Sequence, residues 1–318
     1  MSAEFKIQPL CDFFGVSRSG FYAWVHAQAS PCQRQIENQQ LAKKIKEIHA
    51  DHKSVYGSPK ITQALRKEGM MCGHNRVARL MRQEGIRGVQ SKGFIPKTTD
   101  SNHQNPVAPN LLAKFPEPPS ELNQVWVTDI TYLPSSEGWL YLSAIMDLAS
   151  RKIIGWHLEN HLQTSLPVQA LKRAIAARKP TGPVIHHSDR GCQYTSLEYA
   201  QALKQAGLVP SMSATGYCYD NAAMESFWSI LKREIGVKCF QSKAEARREI
   251  FEYIEGFYNR KRLHSSIDYQ SPEAFEEGKL KTHFERKERQ KLERSLPPFC
   301  RQSQPSPKAP VLQPTQTA

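Results

Sequence analysis

The chain has 318 residues, with 43 Lys and Arg against 30 Asp and Glu for a formal net charge of +13, and a pI near 9.4. That length suits about two domains with a sizeable core and excludes a stapled mini-protein, while the excess of positive charge points to a polyanionic partner. Seven cysteines without a C-x-x-C pair give no sign of a disulfide framework or thiolate zinc site and fit a reducing compartment, and no apolar run is long enough for a signal peptide or membrane span.

The charge is uneven. Residues 1–95 carry 15 basic and 7 acidic side chains, the middle of the chain is balanced, and residues 281–318 carry 8 and 3. In chain order, Leu10, Cys11 and Phe14 fall on one short helix. Gly15 breaks it, and Ser17 can cap a second helix through Trp24 and Val25, with Arg18 at its start. Such a pair suits a helix-turn-helix, and equally an ordinary helical pair. Leu41, Ile45 and Ile48, then Ile61 and Leu65, then Val77, Leu80 and Met81 recur at helical spacing. Residues 1–95 are therefore expected to be helical and DNA-binding, with Arg18, Arg76 and Arg79 as candidate DNA contacts.

Six prolines between Pro96 and Pro119 mark residues 96–119 as a linker. Beyond it the period becomes that of strands, in "VWVTDITYL", "WLYLSAIMDL" and "RKIIGWHL". A helix is predicted at 164–178, a strand at Val184–His186, a helix at Thr195–Ala206, a strand at Leu208–Met212 and a long helix from about Asn221. Strands in a run, then strands alternating with helices, predict an α/β unit over 120–280: a mixed sheet with helices on its faces. Residues 281–318, basic and holding six more prolines, are expected to be a disordered tail.

Three acids stand out. Val125, Val127, Asp129, Thr131 and Leu133 share one face of the first strand, so Asp129 interrupts a mostly apolar stripe. A carboxylate out of water is costly unless paired or bound to metal. Asp189 ends the strand "VIHH" at the carboxyl edge of the sheet, where such sheets hold ligands. Glu225 lies beside the apolar stripe of "DNAAMESFWSILKREI", with Lys232 seven residues later on the same face and Asn221 four residues earlier. Singly, Asp129 reads more readily as a hydrogen-bond acceptor at a strand end and Glu225 with Lys232 as a solvated pair, and Asp189 can be a helix cap. Jointly, the three acids could converge at one sheet edge and hold two divalent cations for in-line phosphoryl transfer. Lys232 then contacts phosphate.

The strings "VWVTDITYL", "HHSDRGCQYTS" and "YDNAAMESFWSILKRE", with 35 residues between Asp189 and Glu225, resemble the catalytic core of the DDE transposases, closest to the insertion-sequence family encoded in two overlapping frames. "YNRKRLHSSIDYQSPEAF" is similar to that family's closing segment, and "YGSPKITQALRKEG" and "NRVARLMRQEGI" to its helical DNA-binding region. The resemblance implies an RNase H-like, integrase-type core with Asp129, Asp189 and Glu225 as catalytic metal ligands and Lys232 as the family's basic residue. It further implies Mg²⁺ or Mn²⁺, two ions per site, and cleavage and strand transfer at element ends. The setting it implies is the bacterial cytoplasm, on the nucleoid. The partners are DNA, further copies of the chain, and the first-frame product or a frameshift fusion with it. No zinc is expected, since no paired cysteines accompany His49 and His52. His187 and Asn221 are auxiliary candidates, whereas Trp126 and Tyr194 read as core. The alternatives are an RNase H-like nuclease without strand transfer and a helix-turn-helix regulator.

Overall fold

The computed structural model describes residues 6–29, 32–89, 106–115, 117–213, 221–236 and 239–295. Strand-forming alternation sets its frame. β1 (Val125–Ser135), β2 (Gly138–Asp147) and β3 (Ile153–Glu159) form an antiparallel meander. β4 (Val184–Ser188) and β5 (Leu208–Met212) add in parallel beyond β1, giving the order β3-β2-β1-β4-β5.

Pleating sends neighbouring side chains to opposite faces, so Val125 and Val127 enter one core and Trp126 the other. α6 (Ser165–Arg178) and α7 (Leu197–Gln205) cover the Trp126 face. α6 comes so close to β3 that a Cβ on Gly155 would stand 2.5 Å from the Ala170 carbonyl oxygen. Any larger residue would push helix from sheet. α8 (Ala222–Ile235) covers the other face, burying Met224, Phe227, Trp228 and Leu231; each such side chain contributes about 1.5–3 kcal/mol relative to exposure.

Among the described residues, α1 (Ile7–Phe14), α2 (Arg18–Ala29), α3 (Gln33–Asp51), α4 (Ser58–Lys67), α5 (His74–Gln83) and a 3₁₀ turn over Leu112–Lys114 precede the sheet. Gly15, at φ 66°, ends α1 in the left-handed conformation that lacks a Cβ penalty. The buried residues of α3 to α5, among them Ile45, Ile61, Leu65 and Val77, share one continuous cluster with β1 and α8. Tyr56, between α3 and α4, ties this region to the closing segment, because its hydroxyl accepts from the Leu263 N–H at 2.7 Å.

The chain after α8 runs through α9 (Lys243–Phe251), a π-helical turn over Glu252–Tyr258, a 3₁₀ turn over Ser265–Ile267 and α10 (Pro272–Ser295). A buried ion pair ties it to α8. Arg262 meets Glu234 at 2.8 Å with side chains 6% and 4% exposed, and the Tyr253 hydroxyl donates to the same carboxylate at 2.8 Å. At the start of α10, Glu276 accepts from Ser150 at 2.7 Å and pairs with Arg178 and Lys152.

Three boundaries differ from expectation. α10 extends to Ser295, so the expected disordered tail is helical over 281–295, where Glu, Lys, Arg and Gln are strong helix formers; residues 296–318 lie outside the described residues. Within the expected linker, Leu112 and Phe115 pack against the core, where burial removes their apolar surface from water; residues 96–105 and 116 lie outside the described residues. α7 starts at Leu197, not Thr195, because the Ser196 hydroxyl accepts from the Tyr199 N–H and caps it. Among the described residues, no helix is long and apolar enough to cross a membrane.

Candidate active site

β1 and β4 are parallel, with Val127 opposite His187. Asp129 and Asp189 each come two residues later, so period-two alternation puts both acids on one face, Asp129 within β1 and Asp189 just past the carboxyl end of β4. A turn sets the Asp189 carboxylate, whose Oδ1 accepts from the Gly191 N–H at 2.9 Å. A Cβ on residue 191 would lie 3.1 Å from that oxygen, which favours glycine there.

α8 crosses this face, anchored through one side chain of its apolar stripe: the indole Nε1 of Trp228 donates to Asp129 Oδ2 at 3.0 Å. Glu225 and Lys232 stand at i−3 and i+4 from Trp228, hence on the same side of the helix. Burial, then the nearby Asp189 charge and, more weakly, Glu225, push the Asp129 carboxyl up to about 7, against the Ile130 N–H and the Trp228 indole. Partial burial pulls the Lys232 ammonium down while the Asp129 carboxylate opposes it. The expected acids and lysine thus form one electrostatic unit, centred on Asp129.

Carboxylate oxygens are the donors that hard divalent cations take, and repulsion among three acids is what a cation offsets. The residues fit such an ion in kind and charge. Glu225 is exposed, and among the described residues no three His, Cys, Asp or Glu side chains stand close enough together to hold a metal. The acids are neighbours without being a closed ligand cage.

The auxiliary candidates occupy different places. His187 is fully buried behind Asp189, its Nδ1 2.8 Å from the Ser211 hydroxyl and its Nε2 3.0 Å from that of Ser213. Both ring nitrogens are engaged. Asn221 is the N-cap of α8; it is buried, and its Oδ1 has no hydrogen-bond partner among the described residues. Trp126 and Tyr194 are core residues, 0% and 3% exposed.

The basic candidates lie on the N-terminal helices, away from the acids. Arg18 is exposed at the start of α2, 5.8 Å above the Tyr22 ring, and Arg79 is exposed on α5. Arg76 differs, since it donates to Asn38 at 2.8 Å and pairs with Glu37 at 3.2 Å, bracing α5 against α3. The residue that sequence reasoning passed over is Trp228, which reads there only as part of an apolar stripe; its spacing of three from Glu225 is the available signal.

This sheet, with its crossing helix and clustered acids, defines an integrase-type catalytic core. The integrase core domain family matches residues 119–218, a second integrase core domain family matches 206–272, and an HTH-like domain family matches 35–94. The helix-turn-helix match therefore falls on α3 to α5, not on the α1–α2 pair. The chain is 43% identical over 269 residues to the insertion element IS600 31 kDa protein of Shigella sonnei, covering 84% of this chain and 97% of that one. It is 41% identical over 249 residues to the transposase for insertion sequence element IS904 of Lactococcus lactis (77% and 97% covered), and 40% identical over 281 residues to the transposase InsF for insertion sequence IS3A of Escherichia coli (87% and 96% covered). The chain belongs to the insertion-sequence transposases with an integrase core. Among solved structures, a simian T-cell lymphotropic virus intasome aligns at a TM-score of 0.42 and 13% identity over 80% of this chain and 76% of that one. The HTLV-2 integrase catalytic core domain in complex with magnesium aligns at 0.38 and 13%, over 48% and 95%.

Proposed function

We propose that Asp129, Asp189 and Glu225 are the catalytic carboxylates of this transposase, that they hold divalent cations, Mg²⁺ or Mn²⁺ and two per site, and that the chain cuts DNA at the ends of its element and joins them to target DNA. The observation that carries this reading is geometric: the parallel register of β1 and β4 brings Asp129 and Asp189 to one face, and the Trp228–Asp129 bond pins α8, which carries Glu225, against them. Bound cations supply activation of the attacking oxygen and neutralisation of the leaving one. The protein's own part is positional. Trp228 fixes one Asp129 oxygen, the Gly191 N–H fixes one Asp189 oxygen, and Glu225 comes from α8 as the third ligand. Lys232 contacts a DNA phosphate beside Asp129.

Arg18 and Arg79 add phosphate contacts from the helical region, giving a salt-dependent share of affinity. By family relation, the DNA-bound form is an oligomer in the bacterial cytoplasm, on the nucleoid, and a first-frame product or frameshift fusion contributes to end recognition. Single alanine substitutions at the three acids test the assignment in a Mg²⁺-dependent cleavage assay on element ends. Each should abolish cleavage while DNA binding persists, and a double variant should be no worse than a single one, as for groups acting as a unit. Cleavage retained by Asp189→Ala refutes the assignment.

A further inference from the structure

On the side of α8 away from Glu225, the structure holds a second site. At 100° per residue, Ala223, Phe227 and Ile230 project on average roughly 165° away from Glu225, Trp228 and Lys232. They line a cavity of about 690 Å³, within the size range of small-ligand pockets. Its other walls come from distant parts of the chain: Lys60 of α4, Arg151 from the β2–β3 turn, Arg262 and His264 of the closing segment, and Phe115 and Glu117 from the stretch before β1.

The charges in this cavity do not balance. Arg262 is matched by Glu234. Neither Lys60 nor Arg151 has an ion pair among the described residues, and Glu117 shares the cavity without pairing to either. Both cations are only part-buried, so their donors remain within reach of a ligand. The Lys60 Nζ also lies 4.9 Å from the Tyr56 ring centroid, so the ammonium itself rests against an aromatic face beside the cavity. An unmatched cation in a low-dielectric wall is costly. Burial, then the charge of Arg262, pulls the Lys60 ammonium down to about 7, and burial pulls Arg151 down as well. His264 is forced down to about 2 by burial and by Arg262, Lys60 and Arg151 in turn; its Nε2 is buried without a partner. Two basic groups without an ion pair facing one cavity suit an anion, whose charge would favour the protonated form of Lys60.

We propose that this cavity binds a phosphate group, with Lys60 and Arg151 as its charged donors. A compact ammonium and a planar guanidinium lining one cavity from two elements suit the tetrahedral oxygens of phosphate. The group can be carried by a DNA strand or by free phosphate or nucleotide. The site does not depend on the assignment of the three acids, since it lies across the helix from them.

Lysine acetylation of the full chain with acetic anhydride at neutral pH, read by mass spectrometry, tests it. Inorganic phosphate should slow modification of Lys60 on the order of tenfold relative to chloride at equal ionic strength, while exposed Lys204 on α7 serves as the unprotected reference. Duplex DNA in place of phosphate identifies the carrier: protection by duplex names a DNA phosphate, and protection by phosphate alone names a free one. Isothermal titration with Lys60→Gln/Arg151→Gln should show phosphate affinity reduced roughly tenfold or more, the size expected for a lost charged hydrogen bond, and Lys60→Arg should retain most of it. Lys60 unprotected by either ligand overturns the proposal, as does unchanged affinity in the double variant. Neither readout involves strand cleavage, so failure here and failure of the catalytic assignment are separate results.

Discussion

The indole of Trp228 and the carboxylate of Asp129 are joined by a 3.0 Å hydrogen bond between α8 and β1. It sets where Glu225 and Lys232 stand relative to the sheet, because both share the helix side that this bond pins. It also favours the ionised carboxylate against burial and neighbouring acids. Trp228→Phe should therefore raise the Asp129 pKa further and move the acid limb of the cleavage rate against pH to higher pH. An unmoved limb with unchanged rate would show that the bond has no part in the chemistry.

Asp129 also predicts a stability profile. Its folded pKa, about 7, lies above the ordinary 3.8, so the folded chain keeps a proton that the unfolded chain releases. Stability contributed by the neutral form is present below about pH 4 and is lost as pH rises through 7. Without divalent metal, Asp129→Asn should be more stable than the parent above pH 7 by on the order of 2–4 kcal/mol, and the two should converge near pH 4. Urea unfolding at both ends of this window measures the difference.

Lys232→Ala should lower end cleavage and strand transfer with little change in the dependence on Mg²⁺ concentration, because the ammonium contacts substrate and not the ion. An exposed helical ion pair would contribute only about 0.3–0.5 kcal/mol. Wild-type strand transfer by this variant at limiting DNA would return the lysine to a solvated face.

Of the basic candidates on α5, Arg79 and Arg76 should behave differently. Arg79→Gln should flatten the slope of log affinity against log salt by about one and leave stability unchanged. Arg76→Gln removes a brace to Glu37 and Asn38, so its effect should appear in the urea midpoint. Binding titrations across salt concentrations, paired with unfolding curves, separate the two.

The pair between Arg262 and Glu234 is buried on both sides. Arg262→Met leaves an uncompensated carboxylate and should cost about 3–5 kcal/mol, whereas a joint change to Met and Leu should recover most of it. Urea midpoints of the single and double variants check the coupling.

The five strands and α6 to α8 were legible because alternation and helical spacing record directly which side of each element is buried. The closing segment was legible only by resemblance. Its buried residues Ala246, Ile250, Tyr253, Ile254 and Phe257 cross from an α-helix into a π-helical turn, so no single period runs through them. The acids could be named from the sequence, but their electrostatic unit could not, since it depends on the parallel register of β1 and β4 and on a tryptophan that looks like any other apolar stripe residue. Lys60 was invisible for a similar reason. It is one lysine among many until tertiary packing places it beside Arg262.

The seat of Tyr56 against Leu263 has a consequence for synthesis on the ribosome. A nascent chain that has just emitted α8 already carries all three acids, yet it lacks Arg262 to neutralise Glu234 and the backbone that receives the N-terminal helices. Two of its apolar surfaces are still open at that moment. Translation past Leu263 is thus a precondition for closing these contacts, although all three acids lie earlier in the chain.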